Sequence, residues 1–365
     1  MKVPFLDLKA TYLQIQDELE EAILNSTRSG QYIGGEVVES FEKNFSNYVS
    51  SKYCIGVGNG LDALILSLKI LDIGKGDEII VPANTFIATW LAVSHCGAVP
   101  VPVEPDNFTY NIDVKLIESK ITKKTKAIIP VHLYGQSADL DEILKLAKKH
   151  NLYVIEDAAQ AHGSEYKNKR IGGHGDMVAW SFYPGKNLCA VGDGGAITTN
   201  NKDFADKLRR YRNYGSSKRY KHDDLGLNSR LDPVQASVLD VKLKYLDSWN
   251  NRRQLIADKY NNDLKGLNLI LPFVKEHNKS VWHLYCIRTK KRNGLRSKLN
   301  LLGIDTLIHY PTPPHMQRAY KYLSYKEDDF PISKSMSSEL ISLPIGPSLS
   351  DEHLEYIISS IKGAI

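Results

Sequence analysis

The spacing of apolar positions changes character near residue 53. Upstream, Leu13, Ile15, Leu19 and Ile23 predict a helix over about residues 11–26, after an extended arm at residues 1–8. Val37, Val38, Phe41, Phe45 and Tyr48 predict a second helix over about residues 36–48, and Gly30, Gly34 and Gly35 separate the two. Downstream, short unbroken apolar runs take over, at residues 55–57, 78–81, 127–131, 153–156, 177–182 and 196–199. Helical spacing returns between several of them, as in Leu61, Leu64, Leu68 and Leu71, and over residues 140–150. Strands that are apolar on both faces, separated by helices, predict an α/β fold with a mostly parallel sheet covered on both sides.

Beyond the sheet region, Leu231, Val234, Val238, Val241 and Tyr245 predict a long amphipathic helix to about residue 249. It divides the chain into residues 1–249, the arm and a large domain, and residues 250–365, a smaller α/β domain ending in a helix at 351–361. The 365 residues are long enough for such a pair, and the net charge of +5 is spread along the chain, which gives no nucleic-acid footprint. Cys54, Cys96, Cys189 and Cys286 are too dispersed for a zinc site or a disulfide framework. No metal-ligating pattern is present. No apolar run is long enough for a bilayer, and a cytoplasmic protein is expected.

The chemistry gathers at the C-terminal ends of the predicted strands, where parallel sheets bind ligands. The run ending at Ser181 and Phe182 is broken by Pro184 and Gly185 just before Lys186. Such a lysine is either a solvated amine or, held between apolar walls, a nucleophile of depressed pKa suited to a Schiff base. Asp157 closes another run, as a helix cap or as the partner of a cationic ring nitrogen. Gln160 and His162 follow it and could meet a phenolic oxygen or flank a ring, His162 being more often a structural histidine, while Phe86 and Trp90 offer aromatic faces or, taken singly, core packing. Gly56, Gly58 and Gly60 lead from strand to helix, as a tight turn or a phosphate seat; the spacing is neither a dinucleotide fingerprint nor a P-loop. An amine, an acid, a flat face and a phosphate cup are together the parts of a pyridoxal 5′-phosphate (PLP) site.

The motifs PFLDL from Pro4, GNGLDAL from Gly58, PANTFIAT from Pro82, VHLYGQ from Val131, IEDAAQAHG from Ile155, SFYPGKNL from Ser181, GDGGAI from Gly192 and LNSRLDPVQA from Leu227 occur in this order along nearly the whole chain. In them the chain resembles the DegT-like nucleotide-sugar aminotransferases of the aspartate aminotransferase superfamily, fold type I. The resemblance implies a seven-stranded sheet and PLP as cofactor. It implies Lys186 as the aldimine lysine, Asp157 as the pyridinium partner and Gln160 beside the phenolic oxygen. Ser181 with the backbone of Gly60 and Leu61 would hold the phosphate, and Phe86 would stack on the ring. Asn228 would reach the neighbouring subunit's cofactor, giving a homodimer with sites at the interface. Leu61 departs from the pattern, since many relatives carry Thr or Ser there. Lys186 argues against the dehydratase branch, where histidine replaces it.

Within the family the resemblance is to transaminases that make dTDP-3-amino-3,6-dideoxyhexoses, with Tyr183, His309 and Tyr310 as sugar contacts. It implies transfer from L-glutamate to the 3-keto carbon of a dTDP-linked 6-deoxyhexose, gluco ahead of galacto, for surface glycans such as S-layer or lipopolysaccharide or for natural-product sugars. The alternative is amination at C4 of a dTDP- or UDP-linked 4-keto sugar. Arg219 and Arg230 are the candidates for a carboxylate or the diphosphate.

Overall fold

The computed structural model describes residues 1–365. Seven strands form the central sheet: β1 (Tyr53–Val57), β2 (Glu78–Pro82), β3 (Val99–Val103), β4 (Thr125–Ile128), β5 (Tyr153–Asp157), β6 (Met177–Ser181) and β7 (Gly195–Thr199), in spatial order β1-β7-β6-β5-β4-β2-β3. Only β7 runs against the others, pairing antiparallel with β1 and β6, and the four remaining pairs are parallel. The sheet is therefore mostly parallel, and the C-terminal ends of β1, β2, β5 and β6 share one rim.

Both faces of the sheet are packed. Along β6, Met177 and Ala179 enter one apolar cluster and Val178 and Trp180 enter another. The first cluster also holds helices α4 (Gly60–Lys69), α5 (Ala88–His95) and α7 (Lys202–Tyr211), and the second holds α3 (Glu36–Tyr48) and the start of α6 (Leu140–His150). Phe45 meets Trp180 and Phe182 edge-on at 5.2 and 5.4 Å between ring centroids. At about 0.5–1.5 kcal/mol per pair beyond area burial, these contacts fix the end of β6 from which Lys186 emerges.

The periodic positions foretell α3 and the strands within a residue or two, with instructive departures. The first helix is two, α1 (Leu8–Leu13) and α2 (Gln16–Arg28), because Ile15 leaves helical geometry to bury itself with Leu19, Val238 and Trp249. The run at 127–131 stops at Ile128, ahead of Pro130, whose missing N–H cannot join the ladder. Strand β3 was not foreseen, since Pro100 and Pro102 read against a strand. They are accommodated because β3 is an edge: Val99 donates to Asp77 and Val103 accepts from Ala83, so the two prolines have the opposite parity and face outward.

The long connecting helix is likewise two, α8 (Pro233–Leu243) and α9 (Leu246–Asp263), and α9 runs unbroken through residue 249. From Ile256 onward its apolar side chains belong to a third cluster with β8 (Tyr285–Arg288), β9 (Leu340–Leu343) and the C-terminal helix Asp351–Ala364. The N-terminal arm closes on this cluster, with Val3 fully buried and bonded through its backbone to Gly303 and Asp305.

Candidate active site

Lys186 is placed by the break that ends β6. Its N–H donates to the Tyr183 carbonyl at 2.8 Å, a tight turn that sets the side chain over the rim. Burial pulls its amine down to about 8, and Asp157 is the charge that pulls it back up. Of the two readings open from the sequence, the half-buried position and the lowered amine favour the nucleophile.

Asp157 closes β5 and is 6 % exposed. Thr89 Oγ1 on α5 donates to its Oδ2 at 2.9 Å, and the Ala159 N–H donates to Oδ1 at 3.2 Å. Burial raises the carboxyl, and these two bonds together with the Lys186 and His132 charges offset only part of that. An anion held this way gains most from a cation placed beside it.

Helix α4 begins where β1 ends. Asn59 caps it by accepting the Asp62 N–H at 2.8 Å, while the N–H groups of Gly60 and Leu61 find no acceptor in the chain. Ser229 locks the turn, accepting from the Gly58 N–H at 2.9 Å and donating to Asp62 Oδ2 at 2.6 Å. A Cβ at Gly60 would stand 2.6 Å from the Cβ of Ser181, so only glycine lets the helix start abut the end of β6. Two free N–H groups, the helix dipole and the Ser181 hydroxyl are donors that could hold a phosphate, to which Leu61 would bring its backbone alone. The fit of this cradle, with Lys186 and Asp157 beside it, is the fit that PLP needs.

Gln160 is oriented at both ends: Oε1 accepts from the Tyr134 N–H at 2.7 Å and Nε2 donates to the Tyr310 hydroxyl at 2.9 Å. Tyr310 in turn lies 5.6 Å from the ring of Phe86, whose face is 53 % exposed. His309 Nδ1 bonds Ser342 Oγ at 2.8 Å; burial and the Lys186 charge hold its imidazole down at about 4, hence neutral at pH 7. Tyr183 is exposed beside the lysine.

Other candidates fall elsewhere. His162 meets no phenolic oxygen; it is fully buried against Trp180 and Phe182, at 5.4 and 5.8 Å, and burial pushes its imidazole to about 3. Trp90 is a core residue, its indole N–H donating to the Pro82 carbonyl. Asn228 is exposed and bridged to Asn213. Arg219 reaches only Tyr220, at 3.2 Å on an exposed hairpin, and Arg230 reaches Asn213 at 3.0 Å.

Sequence reasoning passed over Thr89, Tyr134 and the pair His132–Glu156. The last two are wholly buried and 2.9 Å apart, directly behind Asp157, whose carbonyl accepts the His132 N–H. A Thr in a helix and a His after a proline carry no local signal of such partners. The carboxylate of Glu156, polar inside an apolar strand, was the one sign of a buried pair.

The chain is similar to known proteins over nearly its whole length. The chain is 51 % identical over 360 residues to the dTDP-3-amino-3,6-dideoxy-alpha-D-galactopyranose transaminase of Aneurinibacillus thermoaerophilus, covering 99 % of both chains. It is 47 % identical over 362 residues to the dTDP-3-amino-3,4,6-trideoxy-alpha-D-glucose transaminase of Streptomyces venezuelae, covering 99 % of this chain and 96 % of the other. Among solved structures it superposes on S. venezuelae DesV in complex with a ketimine intermediate with a TM-score of 0.98, at 47 % identity and 99 % and 98 % coverage. Bacillus subtilis NtdA with bound cofactor PMP, the amino form of PLP, gives 0.90 at 33 % identity, covering 100 % of this chain and 85 % of that one. The protein is a PLP-dependent aminotransferase. With the family model matching residues 13–362, the chain belongs to the DegT/DnrJ/EryC1/StrS aminotransferase family.

Proposed function

We propose that the protein moves an amino group from L-glutamate to the C3 keto carbon of a dTDP-linked 3-keto-6-deoxyhexose, releasing 2-oxoglutarate and a dTDP-3-amino-3,6-dideoxyhexose. The observation that carries the chemistry is a lysine whose amine is lowered to about 8, set beside a buried carboxylate and next to an anion cradle. PLP, when bound, supplies the electron sink for the carbanion at the donor's Cα. Lys186 is the nucleophile that holds the cofactor and the base that moves a proton between that Cα and the cofactor's C4′. Asp157 keeps the ring nitrogen protonated. Gly60, Leu61 and Ser181 bind the phosphate, Phe86 covers the ring and Gln160 faces the phenolic oxygen.

Tyr183, His309 and Tyr310 bind the sugar in this reading. Asn228, exposed in the single chain, serves the cofactor of a second copy, which makes the working unit a homodimer. The large unit, residues 1–249, supplies the cofactor residues, and the small unit, residues 250–365, brings His309 and Tyr310 to them. Support for C3 comes from the two relatives above, one acting in the galacto and one in the gluco series.

The test is incubation with glutamate and, separately, gluco and galacto dTDP-3-keto-6-deoxyhexoses and dTDP- and UDP-linked 4-keto sugars, with product read by mass and NMR. An amine at C3 is expected, and the preferred epimer assigns the series. Amination at C4 alone overturns the proposal.

A further inference from the structure

Asn187 directly follows the lysine and is 6 % exposed. Its Nδ2 donates to Asn250 Oδ1 at 2.8 Å and to the Val281 carbonyl at 2.9 Å. A carbonyl only accepts, so the amide has a single orientation, and its Oδ1 is turned to Nδ1 of His283 at 3.2 Å. His283 is therefore protonated on Nδ1, and its Nε2 is left as an acceptor. The charged and titratable groups facing this ring are Lys186, Arg253, His309 and His162; burial first, and then these neighbours, hold its imidazole far below the usual range.

The network is anchored on α9. Asn250 donates onward to the His162 carbonyl at 2.9 Å. Arg253, one turn later and buried, donates to the carbonyls of Trp282 and Ile345 at 3.1 and 3.2 Å. The lysine's loop, the turn after Asp157 and the segment at 281–283 are thus tied to one rigid helix. In a two-stage transfer the lysine's side chain has to move while its main chain stays in place, and such an anchor provides that.

We infer that Asn187 is a positioning residue for Lys186: its amide fixes the main chain from which the lysine projects and, through Nδ1, sets the tautomer of the neighbouring His283 ring. This rests on Lys186 being the nucleophile, as proposed above.

The test compares N187A, H283N and K186A holoenzymes with the parent. H283N keeps a donor toward Asn187 Oδ1 and removes the imidazole whose tautomer Asn187 sets, so it decides the matter where N187A does not fold. The first readout is the pH at which the bound cofactor's visible band changes, which follows protonation at Lys186 apart from turnover. Loss of the fixed lysine position and of the His283 tautomer is expected to shift that midpoint by half a pH unit or more in both variants, with kcat reduced about tenfold and KM changed less than threefold. Midpoints equal to the parent's in folded N187A and H283N overturn the inference, even where melting temperature drops. A K186A protein that keeps the visible band overturns the underlying reading instead.

Discussion

Thr89 on α5 and Asp157 on β5, 68 residues apart, are joined by a 2.9 Å bond from hydroxyl to carboxylate. The Thr85 hydroxyl lies 3.0 Å from that of Thr89. Since Thr89 spends its proton on an acceptor-only carboxylate, Thr85 must donate to Thr89, and the relay stabilises the anion that the ring nitrogen requires. T89V removes it. The Asp157 carboxyl, already raised, then rises further, and the acid limb of the pH–rate profile moves to higher pH. A shift of about one unit is expected, because a hydrogen bond to a charged group contributes about 1.5 kcal/mol or more. A limb that stays in place in T89V separates Thr89 from Asp157 function.

The amine of Lys186 is down at about 8. Only the neutral form attacks an aldehyde, so roughly a tenth of the lysine is reactive at pH 7, against about one part in three thousand for an unperturbed side chain. Reconstitution of the apoprotein with PLP, followed by stopped-flow absorbance, should speed up with pH and level off near 8. A rate still climbing tenfold per unit at pH 9 contradicts the lowered value.

G60A forces a Cβ to within 2.6 Å of Ser181 Cβ. Overpacking of this kind costs about 1–3 kcal/mol, here paid where the cradle is built. Cofactor affinity should fall about tenfold or more by equilibrium dialysis. Unchanged PLP affinity would place the phosphate elsewhere.

Breaking the His132–Glu156 pair concerns stability. E156A leaves the His132 Nε2–H and the Gly175 N–H buried without acceptors, for a loss of about 3–5 kcal/mol in urea denaturation. Burial pushes the Glu156 carboxyl up, but the His132 bond and charge, His174 and the Gly175 N–H bring it below its ordinary value. A depressed folded-state carboxyl contributes stability above its unfolded-state pKa, near 4.3, and loses it as pH falls through the folded value. The parent should therefore lose stability below about pH 4.3 more steeply than E156A. Equal acid slopes would show that the pair carries no such linkage.

What was legible in the sequence follows from where each signal lives. Apolar periodicity gave the sheet strands and α3, because burial of both faces writes itself into every position of a short run. It missed β3, whose alternating prolines are tolerated only at an edge, and edge position is a property of the whole sheet. The lysine, the carboxylate and the glycine turn stood out as polar or flexible residues at the ends of apolar runs. Thr89, Asn187 and His132 stayed hidden because their meaning depends on partners far along the chain. His162 takes the structural role that is the commoner one for such a histidine: beside Gln160 in sequence, it turns its ring into the aromatic core.

Pro100 and Pro102 have a consequence for how molecules of this protein meet. Their nitrogens point away from β2 and offer no hydrogen, so the unpaired side of β3 cannot template an additional strand from another chain. On that flank the protein is protected against edge-to-edge polymerisation, and recognition between copies is left to side chains, which can be selective where a bare ladder is not.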